Sequence, residues 1–187
     1  MYENKFHWAR KIGFGFRPEN IIPSDINEWN KEQLISKNEE IGLNGKGEWP
    51  DDFNFSLEER LNRLHVFMTK KEKYENDKIS PDEKNKLIVT ARNENRVHLH
   101  DVYKYWNNSI YGHDTYHQRL IHFWANHFTV GGSNNFRNYI IGDLIYNTIG
   151  ENLGGSFSNL LQKVTLHPGM LDYLDNVFSS GENSNFT

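Results

Sequence analysis

Apolar residues recur along this chain every three or four positions, the interval that gathers side chains onto one face of an α-helix. The clearest stretch runs from Tyr116 to Val130, YHQRLIHFWANHFTV. At about 100° per residue, Tyr116, Leu120, Ile121, Phe123, Trp124 and Phe128 form one broad apolar arc that must face a core. Gln118, Arg119, Ala125 and Asn126 fall on the opposite side. His113, His117 and His127 lie within the arc, whereas His122 points outward with Gln118 and Arg119. A buried imidazole must have its ring nitrogens satisfied, so His127 needs a partner.

Punctuation between the periodic stretches sets the helix boundaries. Phe6 to Arg17, FHWARKIGFGFR, predicts a short helix that stops at Gly13-Phe14-Gly15, because glycine reaches the positive φ values that end helices. Asp25 and Glu28 form a capping-box pattern ahead of a helix from about Ile26 to Lys37. Residues 42–55 are rich in glycine and read as a loop. Ser56 and Glu59 cap a helix whose stripe is Leu57, Leu61, Leu64 and Met68; its tail, within 70–80, carries charges of both signs and reads as a solvated helix end or exposed loop.

Ser80-Pro81-Asp82-Glu83 is the strongest helix start, leading to Leu87, Ile88 and Ala91. A run from Arg96 to Trp106 carries Val97, Val102, Tyr105 and Trp106. After the Gly131-Gly132-Ser133 break, a helix from Phe136 to Ile149 places Phe136, Ile140, Leu144 and Ile145 on one face. Gly154-Gly155-Ser156 opens another with Leu160, Leu161 and Val164 inward, and His167-Pro168 closes it and starts a final short helix to about Phe178. No stretch alternates with period two, and no repeat is visible. The expectation is one all-α, irregular multi-helix domain over 1–187, with about seven to nine helices and little or no β structure.

Composition narrows the function classes. A chain of 187 residues buries roughly 70% of its unfolded surface, enough for one domain with a real core. A net charge of -4 and pI near 6.1 give no electrostatic footprint for nucleic acid. Without cysteine, disulfides, thiolate metal sites and cysteine nucleophiles are excluded, so any divalent metal would sit on histidine, carboxylate or amide oxygen. Met1 to Arg10 has no apolar signal-peptide region and no run is long enough for a membrane span, which predicts a cytoplasmic chain.

Three places carry a family resemblance. Ala9-Arg10-Lys11-Ile12-Gly13-Phe14-Gly15 is similar to an opening Arg-x-x-Gly-Phe-Gly pattern, and Phe123-Trp124-Ala125-Asn126-His127-Phe128 resembles a Phe-Trp-x-Asn-His-Phe motif. Gly155-Ser156-Phe157 with Leu160-Leu161, continuing through His167-Pro168-Gly169-Met170-Leu171-Asp172-Tyr173-Leu174-Asp175-Asn176, resembles a segment with alanine in place of Gly169. Together these resemble the N-terminal part of the bacterial family catalogued as Domain of Unknown Function 1800. The resemblance implies relatives that are longer and often exported, and a family without an established activity. It predicts that this chain is a truncated or split member, with a missing C-terminal half as its partner.

Several residues invite a chemical reading. His113 and His117 are four apart, the spacing that lets two imidazoles on one helix share a metal, with His98, His100 and Asp101 as possible further donors; surface or core histidines are the alternative. Asn126 and His127 read either as a general base with a positioning neighbour or as a buried histidine and an asparagine at a helix end. Asp172 and Asp175 read as an acid pair, as solvated dipole partners or as a docking face. Gly131 to Asn135 reads as an anion loop or an ordinary turn. Gly13-Phe14-Gly15 lacks the strand and third glycine of a nucleotide loop, and no Gly-x-Ser-x-Gly occurs.

Three functions compete: a helical module supplying fold or partner contacts, part of a metal-dependent hydrolase using His127, His167 and Asp175, and an exported carbohydrate- or envelope-associated module. The last requires exposed aromatic rows, and the periodicity points the aromatics inward.

Overall fold

A computed structural model of the chain describes residues 2–15, 25–35, 42–46, 55–75, 79–94, 96–131 and 134–179. Among the described residues the regular structure is helical, with no strand. The helices are α1 (Tyr2–Ile12), α2 (Ile26–Ile35), α3 (Leu57–Glu75), α4 (Pro81–Glu94) and α5 (Val97–Tyr111), then α6 (Thr115–His127), α7 (Asn135–Asp143), α8 (Phe157–Leu166) and α9 (Pro168–Tyr173). None is long and apolar enough to cross a membrane, among the described residues.

The sequence's start signals work as side-chain chemistry. Ser56 Oγ accepts from the Glu59 N–H at 3.2 Å while Glu59 Oε2 accepts from the Ser56 N–H at 2.8 Å, so the two residues satisfy each other's donors. The Ser56 backbone bond, then the Ser56 hydroxyl, holds the Glu59 carboxyl below its ordinary pKa. Ser80 and Glu83 repeat the pattern at α4. Ser156 caps α8 by accepting from the Asn159 N–H, and Gly15 takes a φ of 112° beyond α1. Residues 36–37, proposed as the end of α2, lie outside the described residues, as do 47–54, 76–78 and Gly132-Ser133.

The stretch 136–149, expected as one α-helix, changes register. After Asp143 it widens into a π-helix, Leu144–Ile149, where the Gly150 N–H reaches back five residues to the Ile145 carbonyl. This rod bridges two apolar clusters. Tyr139 and Ile140 pack with Phe55, Leu64, Phe67 and Val97 on one side. Leu144 and Ile149 pack with Val130, Leu160, Val164 and Met170 on the other.

Three predicted apolar stripes are rotated. On α3 the buried positions are Arg60, Leu64 and Phe67, whereas Leu61 and Met68 are exposed. On α5 Val97, Asp101 and Asn108 are buried, and Val102 and Trp106 face out. On α6 the buried residues are Thr115, His117, Gln118 and Ile121, so the arc turns by about 100°. Phe123, placed inward by the pattern, is 58% exposed, and His127 is exposed too. On each inner face a buried polar residue with a specific partner, Arg60, Asp101 or Gln118, takes a place that periodicity alone assigns to solvent.

Candidate functional site

The charged centre of the molecule lies against α7. Arg60 Nη1 and Nη2 donate to Asp101 Oδ2 and Oδ1, both at 2.7 Å, a two-pronged pair with both residues buried. Arg60 Nη1 also donates to the Tyr139 carbonyl at 3.0 Å, and Nε to the Phe55 carbonyl at 3.1 Å. A buried guanidinium needs such saturation to offset its lost hydration. Gly142 makes room: a methyl group there would collide with the Asp101 carboxylate. The Tyr146 hydroxyl donates to the Asp101 carbonyl at 3.0 Å; burial, then the Asp101 charge, drives its pKa well up.

One residue beyond Gly142, Asp143 meets His167. His167 stands at the junction of α8 and α9, where its Nδ1 accepts from the Gly169 N–H at 3.1 Å and caps α9. That bond assigns the proton to Nε2, which donates to Asp143 Oδ2 at 3.2 Å. Asp143 Oδ1 accepts from Asn147 Nδ2 at 2.6 Å, across the π-helix. Burial raises the Asp143 pKa, but the hydrogen bonds from His167 and Asn147, with the nearby Arg60 charge, outweigh it and hold the carboxyl below its ordinary value. Both His167 nitrogens are committed.

The remaining candidates are dispersed. His113 lies in the turn before α6, so the helical spacing assumed for His113 and His117 does not apply. His117 is buried; its Nδ1 donates to the Gln33 carbonyl at 3.1 Å, and Nε2 has no hydrogen-bond partner among the described residues. Burial lowers its pKa against the opposing Asp114 charge and Gln33 bond. His127, expected in the core, stacks at 6.3 Å along Phe123 and meets Trp124 and Phe128 edge-on. Asn126 is exposed and its carbonyl accepts from Thr129 Oγ1.

Asp172 is tied to Arg137 Nε at 3.0 Å and Asn134 Nδ2 at 3.1 Å, rather than facing solvent alone. Asp175 is exposed in a left-handed conformation, φ 54°. The contacts of His127, His167 and Asp175 do not overlap, and no group of three or more His, Asp or Glu among the described residues is arranged to hold a metal. In the anion-loop stretch, Asn134 Oδ1 caps α7 by accepting from the Arg137 N–H, and Gly132-Ser133 lies outside the described residues.

The motif residues instead join helices. Arg119 of α6 donates to the Arg10 and Gly13 carbonyls, at 3.2 and 2.9 Å, closing the end of α1. Gly13 lets Thr115 approach, since a Cβ there would meet Thr115 Oγ1 at 2.5 Å. Phe14 rests on His122 with ring centroids 5.0 Å apart, and Trp124 stacks on Phe128 and Phe157, both at 5.4 Å.

Sequence reasoning missed Arg60 and Asp143, and read Asp101 as a possible metal donor where it is instead the partner of Arg60. A signal was available for the first: Arg60 interrupts the stripe Leu57, Leu64, Phe67 at its proper helical spacing. Fold and site together define an all-helical module held by the buried Arg60–Asp101 pair, the His167–Asp143 hydrogen bond and side-chain caps. Residues 7–186 match the family described as Protein of unknown function (DUF1800), and the chain belongs to that family. No curated protein and no solved structure matches the chain.

Proposed function

We propose that the chain works as a single structural unit, whose motif residues supply helix junctions and partner contacts rather than a shared reaction centre. The observation that carries this reading is His167, the buried motif histidine. One ring nitrogen caps α9 and the other is bonded to Asp143, so both are engaged in holding neighbouring elements together. The metal-dependent hydrolase reading asks His127, His167 and Asp175 to act together, and their separate surroundings weigh against it.

A thermal melt followed by tryptophan fluorescence, with chelator and then with zinc or manganese, tests the proposal. Because a ligand that binds only the native state raises the melting temperature, a structural unit melts cooperatively and indifferently to metal. A clear rise with either ion overturns it, and His117, whose Nε2 has no partner among the described residues, is then the first residue to replace.

One observation supports a second reading. Phe123 and Phe157, 58% and 53% exposed, flank Trp124 beside the exposed His127, which gives the outward aromatic ledge that a carbohydrate- or envelope-associated module requires. Retention on an insoluble polysaccharide that Phe123→Ala abolishes would favour that module; no retention would dismiss it.

A further inference from the structure

We propose that Ser109 is a nucleophilic serine with His122 as its general base, able to accept an acyl group from an ester with apolar or aromatic substituents. The site shares the Phe14–His122 contact with the motif junctions described above and adds Ser109, Tyr105 and Trp106 from α5. Ser109 Oγ lies 2.7 Å from His122 Nε2, a bond that joins the last turns of α5 to the middle of α6. This is the separation a nucleophile and its base require. Both residues are half-buried, so they are sheltered from water yet reachable.

The imidazole is held in place by rings. Tyr105 stacks on it face to face at 3.9 Å with an interplanar angle of 10°, Trp106 meets it edge-on at 6.3 Å and Phe14 leans on it at 5.0 Å. Phe14 and Trp106 are 43% and 57% exposed, giving an apolar rim against which an aromatic substituent can rest. Burial lowers the His122 pKa to about 4, which keeps the ring a neutral acceptor at physiological pH. Ser109 Oγ also lies 2.7 Å from the Tyr105 carbonyl, and its single proton serves one of the two bonds at a time. Directed to Tyr105 it makes an ordinary helix-surface serine; directed to His122 it is placed for transfer.

In the reaction Ser109 Oγ bonds to the ester carbonyl carbon as its proton passes to His122 Nε2. The bond to the alcohol oxygen then breaks, and the alcohol departs with that proton. Water later attacks the acyl-serine, giving up a proton through Nε2 that returns to Oγ as the carboxylic acid leaves.

The test treats the native chain with p-nitrophenyl acetate and, separately, with a fluorophosphonate, and locates adducts by intact mass and peptide mapping. The expected result is one adduct, on Ser109, absent in Ser109→Ala and formed roughly 100-fold more slowly in His122→Gln. Its rate should hold steady below neutral pH and fall only through about pH 4, where His122 takes a proton. The proposal is overturned by no adduct, by adducts only on other residues, or by equal labelling of Ser109 in His122→Gln. Should either variant fail to fold by circular dichroism, the mapped site and pH profile of the native chain decide the matter.

Discussion

The cost of single changes concentrates where charge is buried. Removing the carboxylate in Asp101→Ala strands the Arg60 guanidinium, which should cost about 3–5 kcal/mol in urea unfolding. Replacing both partners, as Arg60→Met with Asp101→Leu, should recover much of that loss, because no unpaired charge remains. A double variant no more stable than Asp101→Ala would show that the pair is not what the site depends on. Gly142→Ala is conservative by helix propensity, yet its methyl group would enter the space of the Asp101 carboxylate; we expect it to destabilise where a solvent-facing helical glycine would gain. Sequence could not foresee this, because Gly142 and Asp101 are 41 residues apart.

Capping and rotation govern the helices as elements. Ser156→Ala removes the acceptor for the Asn159 N–H and should lower stability by about 1 kcal/mol, measurable by chemical denaturation. The rotated face of α6 makes a sharper prediction. Ile121, fully buried, should lose about 2–5 kcal/mol on replacement by alanine. Phe123→Ser, on the outer face, should change stability by less than about 1 kcal/mol. Equal losses would restore the arc expected from periodicity. That arc failed because Gln118, placed on the outer side by periodicity, turns inward to bond Asp114, beside the buried His117 that bonds Gln33.

For the whole molecule, the response to acid follows from its histidines. Burial holds the folded-state pKa of His122 at about 4 and lowers that of His117, against the ordinary 6.5. Between those values the unfolded chain binds more protons than the folded one, so stability falls as pH drops from about 6.5 toward 4. Asp143 has a lowered pKa and therefore loses its contribution only below the ordinary carboxyl range. Melting temperatures across that window should decline in the native chain and less steeply in His122→Gln. A parallel decline in both would assign the acid response elsewhere.

The sequence by itself determined the helical class, the capping residues Ser56 and Ser80, and the family, through motifs spread along most of the chain. These are local matters: a cap needs residues three apart, and a periodic stripe needs one turn after another. Tertiary structure alone decided that Asp101 faces inward to meet Arg60, that the helix widens after Asp143, and that His127 and Phe123 face out. A charge is buried only when a distant segment satisfies it, and an aromatic ring is left outside only when others fill the interior. Both depend on contacts between residues far apart in the chain, to which local spacing is blind.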